Sequence, residues 1–236
     1  MKKIILILIL FVSVQSYAHY LWVETSPIGQ INQEQEIHVY FGEYTHGLIE
    51  KVDGEAFPKV SDFSLFVIDA LGNKTEIETK AHEDSYSGYF TPTSDGVYTV
   101  VLNNNKIDVI DYTKYNFGVF KTYYHSVAKV TVGDTIGSTA VINDSGITIR
   151  DVSKKGRELK LQVLFKNIPL VKNGIKIFVA DQWSKTLETD EKGMVSFKLP
   201  WNTKYIIEAS KKEEVPGNYK GLDYEFIWHC ATYTVL

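Results

Sequence analysis

The apolar residues of this chain come in segments of four to eight, rich in Val, Ile, Tyr, Phe and Thr, separated by clusters of Gly, Asn, Asp and Pro. No long stretch repeats them at the 3.6-residue period that an amphipathic helix requires. Short β-prone runs bounded by turn residues predict an all-β protein. The expected strands cover 20–24, 36–41, 63–69, 75–80, 86–91, 97–102 and 127–132, then 148–152, 158–165, 174–180, 195–199, 205–210 and 228–235. Seven strands in the first set suit one immunoglobulin-like sandwich. Residues 134–145 are polar and small, and they read as a linker. The expected architecture is two immunoglobulin-like β-sandwich domains in tandem, 19–133 and 146–236.

Ahead of the first strand, Met1-Lys2-Lys3 leads into an apolar run from Ile4 to Val12 that closes at Ser16-Tyr17-Ala18. A basic start, a short apolar run and a small-x-small ending form a secretory signal peptide, here 1–18. The run is shorter than the roughly 20 residues of a membrane span, so the mature chain is expected to be exported without spanning the membrane. Cys230, the only cysteine, cannot form an internal disulfide. The leader and the scarcity of cysteine fit the periplasm, or another exported location, of a bacterium. A net charge of -4 with no Lys/Arg-rich stretch gives no footprint for nucleic acid.

Cleavage after Ala18 makes His19 the first residue. A histidine there can close a chelate ring on one ion through its α-amine and imidazole Nδ1. Their reference pKa values, about 7.7 to 8.0 and about 6.5, let a divalent metal displace both protons near neutral pH. If strand direction alternates in the first sandwich, the loops after its second, fourth and sixth strands return to the pole that holds His19. His46 in Gly42-Glu43-Tyr44-Thr45-His46-Gly47, His82 in Ala81-His82-Glu83-Asp84, and His125 just ahead of the seventh strand then gather there. Imidazole and amine donors suit Ni(II), Co(II), Cu(II) or Zn(II) rather than calcium or magnesium. The expected ligands are His19, His46 and His125, with His82 in reserve and Glu43, Glu83 or Asp84 orienting the imidazoles. His38 is expected on a solvated sheet face, and neighbours His229 and Cys230 on opposite faces of one strand.

Several short motifs recur in a fixed order: His19-Tyr20-Leu21-Trp22-Val23-Glu24, Asp95-Gly96-Val97-Tyr98, Ala128-Lys129-Val130-Thr131-Val132-Gly133, Val163-Leu164-Phe165-Lys166-Asn167-Ile168-Pro169-Leu170, Thr189-Asp190 with Gly193, and Ala231-Thr232-Tyr233-Thr234. In that order they resemble the exported two-domain β-sandwich family associated with bacterial nickel and cobalt uptake. The resemblance implies a periplasmic metal-binding accessory to a membrane transporter, with nickel or cobalt as the favoured ion, copper or zinc as alternatives, and His19 as a ligand. The chain departs from longer family members at Trp201-Asn202-Thr203, where a glycine is usual.

Two other classes compete. No Ser/His/Asp order, paired-carboxylate spacing or Gly-rich phosphate loop stands out, which favours a non-enzymatic reading. His19 and a second imidazole could still form a histidine brace that holds copper for oxidative attack on polysaccharide. The other alternative is a carbohydrate- or protein-binding module of the cell envelope. It rests on 15 Tyr, 12 Phe and 4 Trp and on the tyrosine-rich segment 103–124, which is long for a connection.

Overall fold

The computed structural model describes residues 19–140, 143–154, 156, 158–180 and 183–236. The predicted signal peptide, 1–18, lies outside them. The described chain is nearly all β. Its principal strands are β1 (Tyr20–Thr25), β2 (Gln35–Glu43), β3 (Ser64–Ile68), β4 (Tyr86–Phe90), β5 (Gly96–Asn104), β6 (Val119–Val132), β7 (Ile147–Asp151), β8 (Glu158–Phe165), β9 (Gly174–Val179), β10 (Trp183–Glu188), β11 (Met194–Lys198), β12 (Tyr205–Glu213) and β13 (Phe226–Val235).

One sheet runs the length of the molecule in the order β10-β9-β12-β13-β6-β5-β3, extended by the short strand Lys74–Glu76. Its seam is the parallel pairing of β6 with β13, from Phe120↔Phe226 to Ala128↔Thr234. Alternating side chains point to opposite faces of a strand, and the two faces of this sheet carry different cores. Leu65, Val67, Val100, Leu102, Ala128 and Val130 pack on a front sheet, β1-β2-β4 with Lys80–Ala81, against Leu21, Val23, Ile37 and Val39. Val127, Ala231, Tyr233, Ile207 and Ala209 face the other way, onto Ile147, Ile149, Leu161 and Val195 of a back sheet built from β7, β8 and β11. The architecture is sandwich-like in each half, and the long sheet serves both halves.

The polar segment packs on the back of the long sheet at Thr139 and Ala140. Thr99 Oγ1 accepts from the Ala140 N–H at 2.9 Å, and Thr139 exchanges backbone and side-chain bonds with Asp151. The expected strand 75–80 is instead two short pieces, Lys74–Glu76 and Lys80–Ala81, in different sheets, and β6 and β10 also depart from expectation. β6 begins at Val119 rather than 127, because Lys121, Thr122, Tyr123 and Ser126 interrupt the apolar pattern although each lies on a paired strand. β10 has only Trp183 and Leu187 as large apolar residues, so no alternation announced it.

Strand β1 is the hinge between fold and site. Its inner residues Leu21 and Val23 enter the front core, while Tyr20 and Trp22 are buried on the other side with Ile206 and Cys230. One edge pairs with β2, and three hydroxyls from the long sheet meet the other. Tyr124 donates to the His19 carbonyl at 2.9 Å, Thr232 donates to the Leu21 carbonyl at 2.9 Å, and the Val23 N–H donates to Ser126 Oγ at 3.0 Å. An edge strand that would otherwise bury unpaired backbone groups is thereby satisfied.

Candidate metal centre

His19 stands at the start of β1, one residue before the pair Tyr20↔Gly42. In antiparallel register its cross-strand neighbour is Glu43. Beyond Glu43 the chain makes a short 3-10 turn, Tyr44–His46, and returns through Leu48–Ile49 alongside Gly42 and Glu43. Gly42 is required for that close return. Its φ is +150°, and a Cβ there would lie 2.2 Å from the Leu48 carbonyl oxygen. The hairpin places Glu50 at the same corner.

The corner holds two imidazoles and two carboxylates. His19 Nε2 lies 2.7 Å from Glu50 Oε1, and His46 Nδ1 lies 2.9 Å from Glu43 Oε1. Phe41 packs against the His19 ring, with centroids 5.4 Å apart. Glu43 is only 8% exposed, and its second oxygen, Oε2, is buried with no hydrogen-bond partner. A buried carboxylate oxygen without a donor is costly unless a cation or proton meets it. Among the described residues, no three His, Cys, Asp or Glu side chains converge on one point as they stand.

The other two expected ligands are elsewhere. His125 lies within β6, not in a loop before it, so strand alternation turns it to the back of the long sheet while its neighbour Tyr124 reaches His19. There its Nδ1 faces Asn103 Oδ1, and complete burial pulls its pKa from 6.5 down to about 3. His82 follows Lys80–Ala81 at the far edge of the front sheet, three strand spacings or roughly 14 Å from β1. Its Nε2 is 2.6 Å from Ser87 Oγ. The expected gathering therefore reduces to His19 and His46, because a strand replaced the loop before His125 and sheet order separated His82. Glu50 was not singled out from sequence; only the hairpin return brings it to His19.

Exposed aromatics flank the same region. Tyr112, Tyr115 and Phe117 are 46%, 62% and 40% exposed, and Phe117 is wedged edge-on against Phe120, Phe226 and Trp228. His38 lies half-buried on the outer face of the front sheet, with Nε2 3.4 Å from Glu36. His229 and Cys230 point to opposite faces, as alternation requires.

A family profile described as a domain of unknown function, DUF4198, matches residues 16–213. No curated protein matches the chain. Among solved structures, a DUF4785 family protein from Legionella pneumophila is 12% identical with a TM-score of 0.33, over 83% of this chain and 52% of that one. Escherichia coli alpha-2-macroglobulin activated by porcine elastase is also 12% identical, with a TM-score of 0.32, over 92% of this chain and 20% of that one. The chain thus spans about half the length of the first structure and about a fifth of the second.

Proposed function

The chain belongs to the DUF4198 family, and on that footing we propose that it is an exported protein that binds a divalent transition-metal ion at the corner formed by His19, Glu43, His46 and Glu50. The observation that carries this reading is Glu43, the cross-strand neighbour of His19 and a buried carboxylate with one oxygen unpartnered and the other against His46. Two carboxylates balance the charge of a divalent ion, and two imidazole nitrogens select a borderline metal over calcium or magnesium. Cleavage after Ala18 adds the His19 amine as a further donor. The backbones of His19 and Glu43 lie on neighbouring strands, about 5 Å apart, and rotamer changes of the two glutamates would bring the donors onto one ion. In this reading the ion is cargo, nickel or cobalt by resemblance of the motifs, held in the periplasm for an uptake system. The non-enzymatic assignment is part of the same proposal.

Calorimetric titration of protein beginning at His19 tests it, with nickel, cobalt, copper and zinc in turn. One-to-one binding is expected, lost in His19→Ala and strongly weakened in Glu43→Gln. A form that keeps one residue ahead of His19 should bind at least about tenfold more weakly, since its amine is blocked. Absence of binding by all four metals overturns the reading. Equal affinity in the extended form removes the amine from the ligand set.

The exposed rings of Tyr112, Tyr115 and Phe117 support the second reading, a carbohydrate- or protein-binding module. Glycan binding through them would persist in the presence of chelator and in His19→Ala, and would fall in Tyr115→Ala.

A further inference from the structure

The back of the long sheet holds two imidazoles that the corner site does not use. His125 on β6 and His229 on β13 are 2% and 1% exposed. The parallel register pairs Tyr123 with His229 and His125 with Ala231, so both histidines occupy the same face, diagonal to one another on adjacent strands. The Tyr123 and His229 rings are in edge contact at 5.2 Å, which confirms the shared face.

Each ring is held at one nitrogen by an oxygen acceptor and is bare at the other. His125 Nδ1 faces Asn103 Oδ1 from β5, and its Nε2 is buried without a partner. His229 Nε2 lies 2.9 Å from Glu213 Oε2 on β12, and its Nδ1 is buried without a partner. Asn103 and Glu213 flank the pair from opposite sides, β5 beyond His125 and β12 beyond His229. The two nitrogens of an imidazole point roughly opposite ways, so each bare nitrogen lies on the side of its ring away from Asn103 or Glu213, and Ala231, the register partner of His125, is small. The 143–146 turn roofs His229, where an added Cβ on Gly146 would lie 3.0 Å from its Nδ1.

From this geometry we infer a second metal site, in which His125 Nε2 and His229 Nδ1 clamp a monovalent copper ion between β6 and β13. An oxygen acceptor on the outer nitrogen is the usual support for a metal-bound imidazole, because it fixes the tautomer and raises the basicity of the inner nitrogen. Burial lowers the pKa of both rings, so both are neutral ligands at neutral pH. Charge decides the ion. Glu213 is already paired with Lys166, and Lys211 stands opposite His229, so no negative charge remains to balance a dication. The cost of burying an ion rises with the square of its charge, which favours Cu(I) over Zn(II). Two neutral nitrogens suit the low coordination number of Cu(I), whereas the front corner offers two carboxylates.

The test uses mature protein carrying His19→Ala, so that the corner is silent. Cu(I) is supplied anaerobically against the chelator bicinchoninate, with Ag(I) as a redox-inert substitute. One equivalent should bind, and the ring ¹⁵N resonances of His125 and His229 should move while those of His38, His46 and His82 stay in place. Glu213→Gln should weaken binding about 10- to 100-fold. No binding, or binding that leaves the two ring resonances unmoved, overturns the proposal. Because the nitrogen readout is taken on the His19→Ala protein, it does not depend on whether His125→Gln or His229→Gln folds. It is equally independent of the nickel and cobalt titrations of the corner.

Discussion

Replacing Ser126 by Ala strikes the joint between β1 and the long sheet. Ser126 is fully buried; its Oγ accepts the Val23 N–H at 3.0 Å and lies 2.8 Å from Thr232 Oγ1. Removing the hydroxyl leaves a buried backbone donor on the free edge of β1 with no partner, at a cost of about 1–3 kcal/mol. The lost contact with Thr232 adds roughly 0.5–1.5 kcal/mol, although Thr232 keeps the Leu21 carbonyl. The total is about 1.5–4.5 kcal/mol, which for a chain of this size lowers Tm by roughly 3–18 °C. Urea unfolding of Ser126→Ala should show a reduced midpoint with an unchanged slope. Ser184→Ala, on the exposed strand β10, should stay within about 0.5 kcal/mol of the parent. A loss in Ser126→Ala no larger than in Ser184→Ala would refute the claim that hydroxyls hold the edge of β1.

Three further outcomes follow from the same structure. His125 has a folded pKa of about 3 against an ordinary 6.5, so the unfolded chain alone takes up the proton between those values. Stability should therefore fall as pH drops from 6.5 toward 3, at up to about 1.4 kcal/mol per unit, and urea midpoints of His125→Gln across that window should lack this component. Burial raises the Glu208 pKa, partly opposed by Lys176 at 4.0 Å, so its stabilising contribution is present at low pH and lost as pH rises through the folded value. Glu208→Gln should accordingly gain more thermal stability over the parent at pH 8 than at pH 4, and the opposite order would show that burial does not raise the Glu208 pKa. Gly42→Ala should cost about 1–3 kcal/mol by forcing a Cβ onto the Leu48 carbonyl, and metal titration should show the corner weakened as the hairpin shifts.

The strands with clean alternation were legible from the residues. Glu158–Phe165 forms as expected, and Tyr20–Thr25 extends its expected range by one residue, because Leu21, Val23, Leu159, Leu161 and Val163 each fill a core. The sequence of β6 was harder to read. Its first half, Val-Phe-Lys-Thr-Tyr-Tyr-His-Ser, has a polar or amphipathic residue at most positions, since it lies between two other strands and spends its side chains on Ile107, His19, Asn103 and Val23. Reading that half as a loop brought His125 to the wrong face. The pair of His46 with Glu43 and the return of Glu50 to His19 rest on a local hairpin, encoded by Gly42 and Gly47. Pairings that span the chain, such as Thr232 with Leu21, leave no local trace.

The seam between β6 and β13 sets the order in which the protein can form. Phe120 finds its backbone partner at Phe226, and the pairing continues to Ala128 and Thr234, more than a hundred residues away in the chain throughout. During synthesis, the first half emerges with one long edge of β6 open and with Tyr20 and Trp22 lacking Ile206 and Cys230. Contacts so distant in sequence close slowly and leave open edges exposed to other chains. The back core around Ala231 and Tyr233, and the cluster that buries Tyr20 and Trp22, are completed only when the final strand arrives. Folding of this protein is thus completed only after its last strand has been made, and a chaperone that shields β6 in the interval would raise its yield.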